Sequence, residues 1–229
     1  MDRVPTKVTW ASTATTLSII LGLTAACWVV AVHQMDGMDA GVATTLGSLT
    51  FFLGLWVSMM AAMMLPGTAP AVIRRGHVGG TGTVLPFVVS YLLVWTAVGL
   101  AVFTLYRPHG TVAAGILVIL AGLYEFTPLK RRFRTRCHTT TGSGFEFGLW
   151  CVGSSIGLML ILVVVGPMSI FWMSIVTVLG LMQKLLPPRT VSDVPLALAI
   201  VGLGILILLA PSSVPGLMPQ MIPGMTHMM

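Results

Sequence analysis

Met218, Met221, Met225, His227, Met228 and Met229 crowd the closing segment MPQMIPGMTHMM. A second group, His33, Met35 and Met38 with Asp36 and Asp39, stands in HQMDGMD, and a third, Met59, Met60, Met63 and Met64, in LWVSMMAAMMLP. The spacing M-x-x-M recurs as Met35/Met38, Met218/Met221 and Met225/Met228. A thioether is a soft, neutral ligand that suits Cu(I), and it binds without first losing a proton. In an oxidising compartment it cannot be consumed by a disulfide, although it can oxidise to the sulfoxide. These residues are therefore candidate copper ligands.

Methionine is also a flexible filler of apolar surfaces. In the tail, prolines at 211, 215, 219 and 223 oppose helical packing, which favours the ligand reading. Around Met35 the Asp and Gly residues make an ordinary turn equally well. Met59/Met63 and Met60/Met64 are spaced one helical turn apart and stack on one arc. There, close packing beside Ala61 and Ala62 is the stronger competitor.

The elements that must position these groups are membrane helices. Hydrophobic residues make up 56% of the 229 residues and charged ones 8%, and apolar runs of about twenty residues recur along the chain. Because backbone polar groups must be satisfied internally in hydrocarbon, the expectation is an all-α polytopic membrane helix bundle. Seven candidate spans cover about 8–32, 46–65, 84–106, 110–126, 145–165, 168–186 and 194–209, the second ending at Pro66. Residues 1–210 then form the bundle and 211–229 an extracytoplasmic Pro/Met-rich tail.

Short loops rich in Lys and Arg stay on the cytoplasmic side. With the N-terminus inside and the C-terminus outside, eleven of the twelve cations fall inside and only Arg107 outside. The net charge of +6 is thus a topology signal facing anionic headgroups, and nucleic-acid binding is set aside. The same topology places all but the third methionine group on the outer side. Counted from an outer start near Leu46, Met59 to Met64 lie about 20–27 Å deep, close to the inner face.

Cys27, Cys137 and Cys151 are scattered, with no C-x-x-C, and a structural disulfide is not expected. No H-x-x-x-H, H-E-x-x-H, Walker or dinucleotide motif appears, so the chain is not expected to be an enzyme. Glu125 is the one intramembrane acid, and an ion pair with Lys130 or Arg131 at the inner end accounts for it.

Paired M-x-x-x-M on a membrane helix is similar to the pore motif of eukaryotic copper importers, a likeness confined to the motif. A broader resemblance rests on three blocks: WVSMMAAMMLPGTAP (Trp56 to Pro70), LYEFTPLKRRFRTRCH (Leu123 to His138) and the stretch from Gly148 to Pro187. Together they resemble a bacterial family described as predicted metal-binding integral membrane proteins, with the signature W-x-x-M-x-x-A-M-M-L-P. That family's second block carries a cysteine pair, where this chain has Phe133 and Cys137. Its third block reads like C-x-G-C-C, where this chain has Cys151, Gly153, Ser154 and Ser155. The resemblance implies a cysteine site reduced or absent here, and a metal role inherited by Met59, Met63 and Met64.

The combined expectation is a multi-pass protein of the bacterial plasma membrane that captures or delivers Cu(I) through extracytoplasmic Met/His segments. Its partners would be the lipid bilayer and a protein in the membrane or on its outer face. The competing expectation is a non-catalytic accessory subunit of a larger assembly, such as a copper-dependent membrane monooxygenase or oxidase.

Overall fold

The computed structural model describes residues 6–36, 38, 42, 45–107, 109–140, 142–186 and 190–217, with side chains except at 6–12, 77–79, 81 and 190–192. Among the described residues the fold is all-helical: α1 (Thr6–Met35), α2 (Leu49–Gly79), α3 (Val84–Leu105), α4 (Thr111–Glu125), α5 (Pro128–Thr139), α6 (Gly144–Val165), α7 (Ile170–Leu185) and α8 (Thr190–Leu209). Short 3-10 turns follow at Thr81–Thr83 and Pro211–Ser213.

The seven apolar helices match the seven expected segments. By length and composition four of them, in α1, α2, α3 and α6, can cross a membrane, and a fifth span arises if α4 and α5, bent by 64°, count as one. Helices α7 and α8 are apolar but shorter. The most apolar windows of α2 and α6 are 56% and 61% buried, against 17% and 22% for α1 and α3, so α2 and α6 form the centre.

Two local features differ from the sequence expectation. Helix α2 does not stop at Pro66 but runs through Pro66 and Pro70 to Gly79. Proline removes a donor and frees a carbonyl, which membrane helices tolerate when side chains supply replacement bonds. Between the two prolines the Thr68 hydroxyl donates to the Leu65 carbonyl at 2.8 Å. The basic run after Glu125 is likewise no loop. Thr127 caps it by accepting from Lys130 N, Pro128 opens its first turn, and α5 follows.

Small residues set the packing. A Cβ on Gly204 would come within 2.9 Å of Ile119 N and 3.0 Å of the Gly115 carbonyl, so α4 and α8 touch backbone to backbone. The family-signature Trp56 seats its indole against Gly99 of α3, where a Cβ would lie 2.4 Å from the ring. Its Nε1 donates to the Trp95 carbonyl at 2.9 Å.

The ends of the bundle differ. One end collects the cations: Arg74 and Arg75 at the close of α2, all of α5, and Lys184 at the close of α7. Two ion pairs are buried there, Lys130 with Glu125 and Arg134 with Asp193. The expected Glu125 pair therefore exists, but it is enclosed by the bundle and does not reach for water. At the opposite end, residues 211–217 fold back onto the helices. Val42 N donates to the Leu217 carbonyl at 3.1 Å, and Trp172 Nε1 to the Pro215 carbonyl at 2.9 Å.

Candidate metal centre

The expected ligands fall into three situations. Met218, Met221, Met225, His227, Met228 and Met229 lie outside the described residues. At the α1 end His33 is exposed, Met35 is buried, and Met38 packs half-buried against the core. Met35 thus contributes to packing, as do Met168, Val214 and Leu217 nearby in the chain's order of elements at that end. Residues 211–217 dock on this end, where Val42 N donates to the Leu217 carbonyl.

Met59, Met60, Met63 and Met64 are all buried to 2% exposure or less in the middle of α2. Met64 differs from the rest in having a polar partner: the Lys184 ammonium donates to its Sδ at 3.1 Å. A thioether is a weak acceptor, and an ammonium hydrogen-bonded to one is poorly satisfied.

Following Lys184 leads to the residues that sequence reasoning missed. The Cys151 thiol lies within electrostatic reach of this ammonium and of the Cys137 thiol. The Tyr91 hydroxyl lies 3.4 Å from Cys151 Sγ. Both cysteines are free thiols. Three sulfurs from α2, α5 and α6 are therefore gathered around one ammonium from α7. The expectation of scattered cysteines does not hold for this pair. Helices α5 and α6 form a hairpin closed by the turn before Ser143, which caps α6, and the hairpin brings Cys137 against Cys151.

Helix α5 can deliver a cysteine inward because one of its faces is buried: Lys130, Arg134 and Cys137 follow the i, i+4, i+7 stripe. The two cations on that stripe are neutralised by Glu125 and Asp193. Arg134 also donates from Nε to the Gln183 carbonyl at 2.8 Å and from Nη2 to the Leu186 carbonyl at 3.0 Å, fastening α5 to the end of α7.

Above the sulfurs is a cavity of about 160 Å³, lined in part by Arg74, Cys137, His138, Ser154, Ser155 and Lys184. This is about ten times the space a single water needs. Arg74 Nη2 donates to the His138 carbonyl at 3.3 Å, which holds the cavity's rim. His138 stands at the end of the basic helix, outside the apolar spans. Burial, with Arg134 and Arg74 nearby, pushes its imidazolium below the usual histidine range, while a backbone bond at Gln183 acts the other way.

No three His, Cys, Asp or Glu side chains converge among the described residues, so the usual hard or borderline metal sites are not built here. A mixed thiol and thioether set, by contrast, is a soft donor set of the kind that selects Cu(I). The matched sequence range includes every one of these sulfurs: a family model described as PpoB2, copper chaperone, covers residues 53–207. The chain belongs to the PpoB2 copper chaperone family. No curated protein and no solved structure gives a match.

Within this PpoB2 chain the signature residues divide by task. Trp56 packs α2 on α3 through Gly99 and Trp95. Pro66 is followed by Gly67, where a Cβ would sit 2.4 Å from Lys184 Cδ, and this close approach lets the lysine stem cross α2 to reach Met64. The signals for the cysteine cluster were present in the sequence, as a Thr-Pro helix start at Thr127 and the 130/134/137 stripe, but the strong positive charge of the run concealed them.

Proposed function

We propose that this protein is a membrane copper carrier, multi-pass in the bacterial plasma membrane, that takes up Cu(I) and passes it to a protein partner without catalysing a reaction. The observation that carries this reading is the copper chaperone family match, extending over the stretch that contains Met59, Met60, Met63, Met64, Cys137 and Cys151. Helices long and apolar enough to cross a membrane support the location. The charge asymmetry between the two ends supports an N-terminus inside and a C-terminus outside.

In this orientation His33, Met35, Met38 and the tail from Met218 to Met229 face outward and capture copper. Thioethers suit that task, because they hold Cu(I) without competition from protons. The docking of residues 211–217 onto the bundle supports the geometry by starting the tail at the face that carries His33 and Met38. The recipient would be a protein in the membrane or on its outer face.

The test is Cu(I) titration of detergent-purified protein, full length and ended after Leu217, which keeps the docked segment. Tight binding by the full chain that weakens on truncation is the expected result. A full-length chain that takes up no Cu(I) would contradict the copper reading.

A further inference from the structure

The geometry points to a second copper site at the basic end of the bundle, in which Cys137, Cys151 and Met64 hold one Cu(I) ion as an anionic dithiolate–thioether complex compensated by Lys184 and Arg74. The inference rests on the copper-carrier reading above and adds to it a specific ligand set on the opposite face from the tail.

Three observations support it. The sulfurs come from three different helices yet gather near one ammonium: Lys184 bonds Met64 Sδ and shares the cavity with Cys137, and Cys151 lies within electrostatic reach of both Lys184 and Cys137. Packing alone would not require a part-buried ammonium to turn to buried sulfurs, because a thioether is only a weak acceptor for it. The charge balance is the second. Lys130 and Arg134 are paired with Glu125 and Asp193, whereas among the described residues neither Lys184 nor Arg74 has a carboxylate partner. Two part-buried cations thus face the sulfur cluster and its cavity with no anion to answer them. The third is access. Cys137 and Lys184 line the cavity, so an ion entering there meets Cys137 first and then the fully buried Cys151 and Met64.

The balance of the binding step is simple. Cu(I) carries one positive charge; two thiols each give up a proton, and the thioether gives none. The bound complex has one negative charge, and the protons displaced from the thiols leave to solvent. Lys184 then turns from a weak thioether contact to an anion, and Arg74 adds a second favourable charge across the cavity. Cu(I) is satisfied by so small a set of soft ligands, whereas structural zinc takes four.

The experiment is anaerobic Cu(I) titration of the reduced, full-length protein in detergent, with bicinchoninate as the competing chromophoric chelator. The forms compared are wild type, Cys137→Ser, Cys151→Ser, Met64→Leu, Cys27→Ser, and the chain ended after Leu217. The expected result is that each of the two cysteine substitutions weakens binding at this site by about 100-fold or more, and Met64→Leu by about tenfold. Cys27→Ser, on the half-buried cysteine of α1, should leave binding unchanged.

Should a variant fail to fold, wild-type protein still decides the matter. N-ethylmaleimide labelling of Cys137, read by mass spectrometry, should be blocked by stoichiometric Cu(I), with labelling of Cys27 unaltered. Copper binding that ignores both cysteine substitutions but disappears with the tail overturns this site and leaves the carrier reading standing. Unprotected Cys137 in copper-loaded protein also overturns it. Failure of every form to bind Cu(I) overturns the carrier reading and this site together.

Discussion

The two ends of the bundle use the same element in different chemical forms. At the basic end, two thiols and one thioether are drawn together by packed helices, around a lysine and below a polar cavity. At the opposite end the sulfur is all thioether: Met35 and Met168 are buried, Met38 is half-buried, and the segment that leads into the methionine tail is pinned by Val42 and Trp172. The difference teaches that sulfur content alone does not define a metal site. What matters is whether the ligand must lose a proton, and whether the surroundings supply charge to compensate. The basic end is built for an anionic complex, and the opposite end has no such need.

The largest effect that would sharpen this contrast comes from Cys137→Ser/Cys151→Ser. It should remove the inner copper site, a loss of about 100-fold or more in affinity, while binding that depends on Met218 to Met229 persists. Metal content measured with and without the tail separates the two contributions.

The next is pH. Copper displaces protons from the inner-site thiols, so affinity there should rise with pH. The groups facing these thiols are Tyr91, Lys184, Arg74 and His138, and none of them contributes a negative charge near neutrality. Thioether binding at the tail should be nearly flat over the same range. Titrations between pH 6 and about 8 on the chain ended after Leu217, beside the full chain, would show the two slopes. A flat profile for the truncated chain would break the comparison.

Lys184→Gln removes the compensating charge but no sulfur ligand, and should cost about tenfold in affinity, with the copper–sulfur coordination unchanged by X-ray absorption. Changing the five tail methionines to leucine should reduce capture at the outer face by several-fold and leave the pH slope of the remaining site as it was. The smallest effect distinguishes packing from binding within the signature itself. Trp56→Phe loses the indole bond to Trp95 and should lower stability by about 1 kcal/mol, read by thermal unfolding in detergent, with copper affinity unaltered.

The helices were legible because apolar length is a strong signal in a bilayer: each of the seven expected segments corresponds to a helix, with ends shifted by a few residues except at the close of α2, which runs on to Gly79. The apparent stop at Pro66 was misleading because a membrane helix tolerates proline where its neighbours enclose it, and α2 continues through Pro66 and Pro70 to Gly79. Helix α5 was hidden by its cations. A run containing Lys130, Arg131, Arg132, Arg134 and Arg136 reads as a loop until Asp193, 59 residues beyond Arg134, is seen to join Glu125 in neutralising its buried face.

The methionine groups could be found by spacing, since M-x-x-M and paired i, i+4 residues are local patterns. The cysteine cluster could not, because it is assembled by tertiary structure. Cys137 and Cys151 occupy facing helices of a hairpin, Met64 lies on α2, and Lys184 comes from α7, more than a hundred residues after Met64. Family resemblance pointed to cysteine positions here, but counting the cysteines missing at Phe133, Ser154 and Ser155 drew attention away from the two that remain. Ser154 and Ser155 line the cavity, and the Phe133 ring fills the space above Gly153. The retained thiols are those that touch each other.

The measurement that tests the central claim most directly is Cu K-edge X-ray absorption on reduced, copper-loaded protein ended after Leu217. A first shell of sulfur alone, lost in Cys151→Ser, is the result this account predicts. Copper ligated mainly by nitrogen or oxygen, or no copper retained by a folded chain, would contradict it.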